Sequence, residues 1–145
     1  LVALQTLTRD ASQGYAMLAR FRTAALMGEK GDTLAAAKIF ASLANDDSID
    51  QVYRELAVVL GALQELNNTE RSSKLIERAK SLAKSEGVWR HNAREIEALA
   101  ALANGKNTVA NGIFKELSNT AGIPQGIRAR ALEMLSFTRQ IDRPT

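Results

Sequence analysis

The chain has 145 residues, no cysteine, one histidine and a formal charge of only +3. Disulfides, thiol nucleophiles and zinc knuckles are excluded, because His91 cannot complete a metal shell by itself. The mild charge and an aromatic content of 5% also lack the dense basic stripe and stacking rings of a nucleic-acid binder.

Ala, Leu, Glu, Lys and Arg dominate, so helix is favoured along nearly the whole length and no sheet is expected. In chain order, residues 1–10 read as the second helix of a repeat whose first helix is missing, and Leu1 in place of Met suggests a trimmed or processed chain. Apolar periodicity then predicts helices over 15–30, 33–44, 51–66, 70–84, 91–104, 108–117 and 125–139. Gly31 and Gly105 stand where a left-handed residue ends a helix. Asp32 or Thr33, Asp50, Thr69 and Asn107 suit N-caps, and Pro124 suits a first helical turn. The most apolar stretch, 56–66, is broken by Gln64 and Glu65 and is too short to span a bilayer. No signal-peptide pattern is present.

The sequence repeats itself at an offset of 74 residues without a gap. Ala19-Arg20 falls on Ala93-Arg94, Ala24 on Ala98, Gly31 on Gly105, Ala36 on Ala110, Ile39-Phe40 on Ile113-Phe114 and Leu43 on Leu117. The match continues with Ile49 on Ile123, Arg54 on Arg128 and Ala57 on Ala131, and Tyr15 falls on Trp89. Half the offset, about 37 residues, is the length of a helical hairpin repeat. The fold expected is therefore all-α: an α-solenoid of tandem helix-turn-helix, tetratricopeptide-like repeats in a right-handed superhelix, forming one domain over 1–145. Its repeats would occupy about 15–45, 51–85 and 89–119, with a polar capping helix at about 125–140. Small residues at 24, 36, 98 and 110 would let paired backbones approach. Phe40 and Phe114 would lie between their own hairpin and the next, and truncating either, if buried, would cost about 3–5 kcal/mol.

Some motifs carry a family resemblance. The pattern Ala24, Gly31, Ala36, Phe40 resembles tetratricopeptide-type repeats, with Arg20, Met27 and Ser48 where the consensus holds Trp, Tyr or Pro. The run Gly14-Tyr15-Ala16-Met17-Leu18-Ala19-Arg20-Phe21-Arg22, with Gly31-Asp32, Trp89-Arg90-His91, Ala93-Arg94-Glu95 and Arg128-Ala129-Arg130-Ala131, is similar to the soluble part of alphaproteobacterial repeat proteins related to the ancillary subunit of the Sec translocon. That resemblance covers essentially the whole chain. It implies an inner-membrane anchor upstream of Leu1, a periplasmic repeat domain, and contact with the translocon, envelope chaperones or emerging substrates.

Candidate sites are few. Trp89-Arg90-His91 is the most chemical-looking cluster, but His91 has no nucleophile in sight and Trp89 is expected to wedge a hairpin junction. Asp46-Asp47 reads as loop charge, while Glu95 and Glu97 lie on different sides of a helix, so no shared metal is expected. Arg20, Arg54, Arg94 and Arg128 recur at equivalent points of the first helices. They would either grip carboxylates on a partner or, the reading favoured here, pair with nearby acids such as Glu55 or Glu95 and hold the stack together.

The expected function is a protein–protein interaction scaffold, not an enzyme, without cofactor, metal or nucleic acid and touching a membrane only through a segment absent from this chain. Phe21, Glu95 and the four first-helix arginines are its candidate partner-binding residues. The alternative is a homo-oligomerisation module without a peptide groove.

Overall fold

The computed structural model describes residues 12–68 and 73–141. Seven helices follow one another among them, and no strand occurs. They are α1 (Gln13–Glu29), α2 (Thr33–Ala44), α3 (Gln51–Leu66), α4 (Lys74–Leu82), α5 (Arg90–Ala103), α6 (Asn107–Asn119) and α7 (Gln125–Ile141). The partial helix expected over 1–10 and the cap expected at Thr69 lie outside the described residues. Contacts divide the chain into two compact units, 1–78 and 79–145, with the division inside α4.

In unit one, α1 packs on α2 and α2 on α3. The first hairpin is punctuated by Gly31, whose φ of +86° places it in the left-handed region. Its N–H bonds the Gly28 carbonyl at 3.0 Å and the Asp32 N–H bonds the Met27 carbonyl at 3.0 Å. This paired closure satisfies carbonyls that the end of α1 would otherwise leave open. Asp32 then starts α2, its Oδ1 accepting the Ala35 N–H at 3.1 Å. Such a cap contributes about 0.5–2 kcal/mol.

Unit two builds the same turn. Gly105, at φ +73°, bonds the Leu102 carbonyl at 3.0 Å, and Lys106 N–H bonds the Ala101 carbonyl at 2.9 Å. Here the sequence expectation needs correcting: Asn107 is the first residue of α6, and Lys106 holds the N-cap position without a side-chain cap. The cause is the turn itself. Lys106 has φ −86° and ψ 60°, close to the −83° and 65° of Asp32, so the glycine closure fixes where the helix begins and outranks the capping preference of Asn107.

The core repeats with the turn. Ala24 and Ala98 are fully buried, as are Ala36 and Ala110, and Phe40 and Phe114 are enclosed. Leu43, Ile49 and Ala57 in unit one are matched by buried Leu117, Ile123 and Ala131 in unit two. In unit two, α5 packs on α6, α6 on α7, and α5 also touches α7. Ala98, Ala110, Phe114, Ile123, Ile127 and Ala131 form part of a continuous cluster there. Some equivalent pairs differ: Tyr53 is 41% exposed where Ile127 is buried, and Val58 is buried where Leu132 is exposed.

Gly61 of α3 is where α2, α3 and α4 converge. A Cβ added to it would fall 2.8 Å from Phe40 Cβ and against the Leu75 side chain, so only hydrogen fits. Four residues further along α3, buried Glu65 accepts the Leu75 and Ile76 N–H groups with Oε2 at 2.9 and 3.0 Å. The carboxylate therefore satisfies two donors in the first turn of α4, where negative charge is favoured.

Gly112 offers the opposite case, lying exposed within α6 with nothing within 4 Å of an added Cβ. Gly112→Ala is expected to stabilise the protein by about 0.5–1 kcal/mol, because it removes only unfolded-state freedom. Gly61→Ala is expected to destabilise it by about 1–3 kcal/mol through overpacking. Urea unfolding of the two variants checks both signs, and a stable Gly61→Ala protein would show that the three-helix junction is looser than described.

Candidate interaction surface

The expected surface lies on the first helix of each hairpin: α1 and α3 in unit one, α5 and α7 in unit two. Arg20 leaves α1 toward the end of α2. Its Nη1 bonds Asp46 Oδ2 at 2.7 Å and its Nη2 bonds Ser42 Oγ at 2.9 Å. Asp46 also receives the Ser48 N–H and hydroxyl on Oδ1. These partners, the Ser48 hydroxyl foremost and then Arg20, lower the Asp46 carboxyl from 3.8 to about 2. The loop between α2 and α3 is thus an anchored corner, whereas sequence reading treated its acids as loop charge.

Arg54, at the start of α3, bonds Asp47 Oδ1 at 2.8 Å. The Asp47 side chain is 95% exposed, so the pair contributes little. In unit two, Arg94 bonds both oxygens of Glu116, at 3.3 and 2.7 Å, and Glu97 Oε2 at 2.6 Å. Glu116 stands at the 74-residue equivalent of Ser42, so both arginines reach the same point of the second helix. The Glu116 hydrogen bonds lead in raising the Arg94 pKa further, against the opposing effect of burial. Arg128 donates to the Thr120 carbonyl at 2.9 Å. All four arginines therefore engage acceptors within their own unit. Their partners are not the Glu55 and Glu95 named from sequence: Glu55 accepts from Gln51, and Glu95 is held by Arg130.

Phe21 and Glu95 occupy equivalent positions and do different work. Phe21 is half-buried, its ring centroid 6.0 Å from that of Phe40 and tilted by 56°. It extends the apolar interior toward the surface. Glu95 instead forms a two-pronged pair with Arg130, Nε to Oε1 at 2.7 Å and Nη2 to Oε2 at 2.8 Å, which ties α5 to α7. This bonding is the leading cause of a raised Arg130 pKa. Arg130 is a residue that sequence reading missed. The available signal was a double change at the internal offset, where Phe21 and Leu56 become Glu95 and Arg130.

Glu65 was also missed, since a glutamate near the end of a helix reads as solvated charge. Trp89 is half-buried and occupies the N-cap position of α5, and Arg90 donates to the Gly87 carbonyl at 3.2 Å. Burial and then the charge of Arg90 lower the His91 pKa, with Glu116 opposing. Glu95 and Glu97 go to different partners, Arg130 and Arg94. No group of three metal-ligating side chains is found among the described residues. No protein-family model, curated protein or solved structure matches the chain.

Asp46 supplies a pH test. Because its folded-state carboxyl is depressed from 3.8 to about 2, its stabilising effect is fully present above about pH 4 and is lost as pH falls through about 2. Asp46→Asn is accordingly expected to be less stable than the parent chain at neutral pH, with the gap closing between about pH 4 and pH 2. Thermal melts across that range measure it; a gap that stays constant in acid would assign the loop's order to something other than the Asp46 charge.

Proposed function

We propose that the chain is a protein-binding scaffold: a right-handed, tetratricopeptide-like helical stack in which the first helices present a surface to segments of partner proteins. The observation that supports this reading is the repetition of one hairpin design. The same glycine closure, the same buried alanine pairs and the same enclosed phenylalanine recur at a constant offset in units one and two. Copies of a hairpin add surface along a chain, and extended recognition surfaces are the usual product of such arrays.

Within this reading Arg20, Arg54, Arg94 and Arg128 position the first helices, while exposed side chains beside them, such as Leu18 and Arg22, meet the partner. Phe21 and Glu95 set the local character of that surface, aromatic in unit one and ionic in unit two. The family resemblance extends the proposal to a periplasmic domain at the bacterial inner membrane, with the Sec translocon, envelope chaperones or emerging chains as partners. No described helix is long and apolar enough to cross a membrane.

A second reading, self-association, draws on Tyr15, Leu18 and Tyr53, which are 67%, 56% and 41% exposed around an open pocket of about 630 Å³ in unit one. Apolar surface of this kind is often an interface. Light scattering on the protein in solution separates the readings, since a monomer removes self-association.

The scaffold proposal is tested by photo-crosslinking in cells, with a photoreactive residue placed at Leu18, Arg22 or Leu132 on first helices, or at Val109 or Lys115 on α6. Adducts with translocon or chaperone subunits are expected from the first-helix positions and not from α6. Uniform labelling, or adducts only with a second copy of the chain, would refute it.

A further inference from the structure

Unit one contains a groove whose chemistry differs from that of the first-helix surface. It measures about 530 Å³ and runs between α2 and α4, with Leu34, Ala37 and Ala41 along one wall and Leu75 along the other. Lys38, Lys74 and Arg78 stand around it, and its one carboxylate is Glu65. That carboxylate is committed to the Leu75 and Ile76 N–H groups. Arg78 is committed as well, donating to Asn45 Oδ1 at 2.9 Å and the Ala44 carbonyl at 3.1 Å, which joins one wall to the other. Lys38 and Lys74 are exposed and make no ion pair among the described residues.

The charge balance at the groove is therefore positive. Three cations face one carboxylate; of the three helix ends nearby, the negative end of α3 opposes the positive end of α4, and the negative end of α2 is met by Arg78.

The internal repeat separates what the fold needs from what this groove adds. Buried Ala36, Phe40 and Leu43 of α2 recur in α6 as buried Ala110, Phe114 and Leu117, but Leu34, Ala37, Lys38 and Ala41 become Thr108, Asn111, Gly112 and Lys115. A second helix thus forms without the aliphatic stripe. Packing within unit one accounts for Ala37, which is buried; it leaves Leu34 37% exposed.

We propose that this groove docks an acidic segment of a partner protein that carries an aliphatic side chain. The aliphatic group lies along Leu34, Ala37 and Ala41, and flanking carboxylates meet Lys38 and Lys74. A single-stranded nucleic acid is a poorer occupant, because no aromatic ring lines the groove to stack on a base. The site lies on second helices and does not depend on the first-helix surface proposed above.

The test uses a fluorescein-labelled peptide of alternating leucine and glutamate residues, flanked by glycine and serine, titrated with the whole chain and followed by anisotropy. Saturable binding is expected, weakened about tenfold when the glutamates are replaced by glutamine or when the protein carries Lys38→Glu with Lys74→Glu. Leu34→Ser is expected to weaken it as well. The charge-reversed protein, whose fold is checked by its melting curve, should instead bind a peptide with lysine at the acidic positions.

Arg22→Glu on the first-helix surface should leave binding unchanged, which keeps this proposal distinguishable from the scaffold reading. Equal binding of the acidic and glutamine peptides would overturn it, as would no saturation by about 1 mM. A single-stranded oligonucleotide that binds more tightly than the peptide, or self-association abolished by Lys38→Glu with Lys74→Glu, would assign the groove to a different occupant and overturn it equally.

Discussion

Two helix backbones can come close only where the side chains between them end at Cβ, and the rest of this molecule depends on that condition. Ala24 and Ala36 meet it in unit one, Ala98 and Ala110 in unit two, and all four are sealed from solvent. Once the helices are that near, a larger group can fill only the space beside the contact, which Phe40 and Phe114 do. The positive-φ glycines at the hairpin turns complete the constraint by fixing the direction in which the second helix leaves. A branched residue at any of these alanines would push the helices apart, at a cost of about 1–3 kcal/mol from overpacking.

Where the two units differ, the differences come in matched sets. Phe21 and Leu56 correspond to Glu95 and Arg130, so one unit has apolar side chains at positions where the other has a two-pronged ion pair. Gly61 and Glu65 correspond to Leu135 and Arg139. The first set leaves the hairpin design intact while changing its outer chemistry. The second concerns how a further helix is received: Gly61 gives space to Leu75, and Glu65 supplies the acceptor for the first N–H groups of α4. A helix seated on α7 in the same way would meet the Leu135 side chain and a guanidinium carrying only donors.

The hairpin frame was legible in the sequence because periodicity, glycine punctuation and self-similarity point to the same helices. Residues 33–44 and 51–66 emerge as read, and the other helices differ by a few residues at one or both ends. What escaped depends on contacts between positions far apart in sequence. Glu65 is indistinguishable from a solvated helix-end glutamate until α4 lies over it. Lys106 takes the cap position from Asn107 because the preceding closure determines φ and ψ there, which residue preference cannot reveal. The arginine ladder was visible as a pattern, yet its acceptors are different groups in each case, two loop aspartates, a pair of glutamates and a backbone carbonyl. The internal offset carries backbone geometry faithfully and side-chain partners poorly, because a long guanidinium reaches any acceptor within several ångströms.

This division bears on where a repeated hairpin frame could carry a binding surface. A guanidinium already satisfied by carboxylates gains little from a partner's carboxylate, since one charge-assisted bond is exchanged for another. Groups that confer selectivity are better sought among side chains the frame leaves unused: exposed aliphatics such as Leu18 and Leu34, and cations such as Lys38 that hold no acid among the described residues. The repeat supplies the criterion for finding them. A position kept between the two units is constrained by the hairpin, whereas a position that changes while its surroundings stay buried is free to answer to something outside the fold. By that criterion the ladder belongs to the architecture, whereas exposed Leu34 and Lys38, which become Thr108 and Gly112, are not required by it.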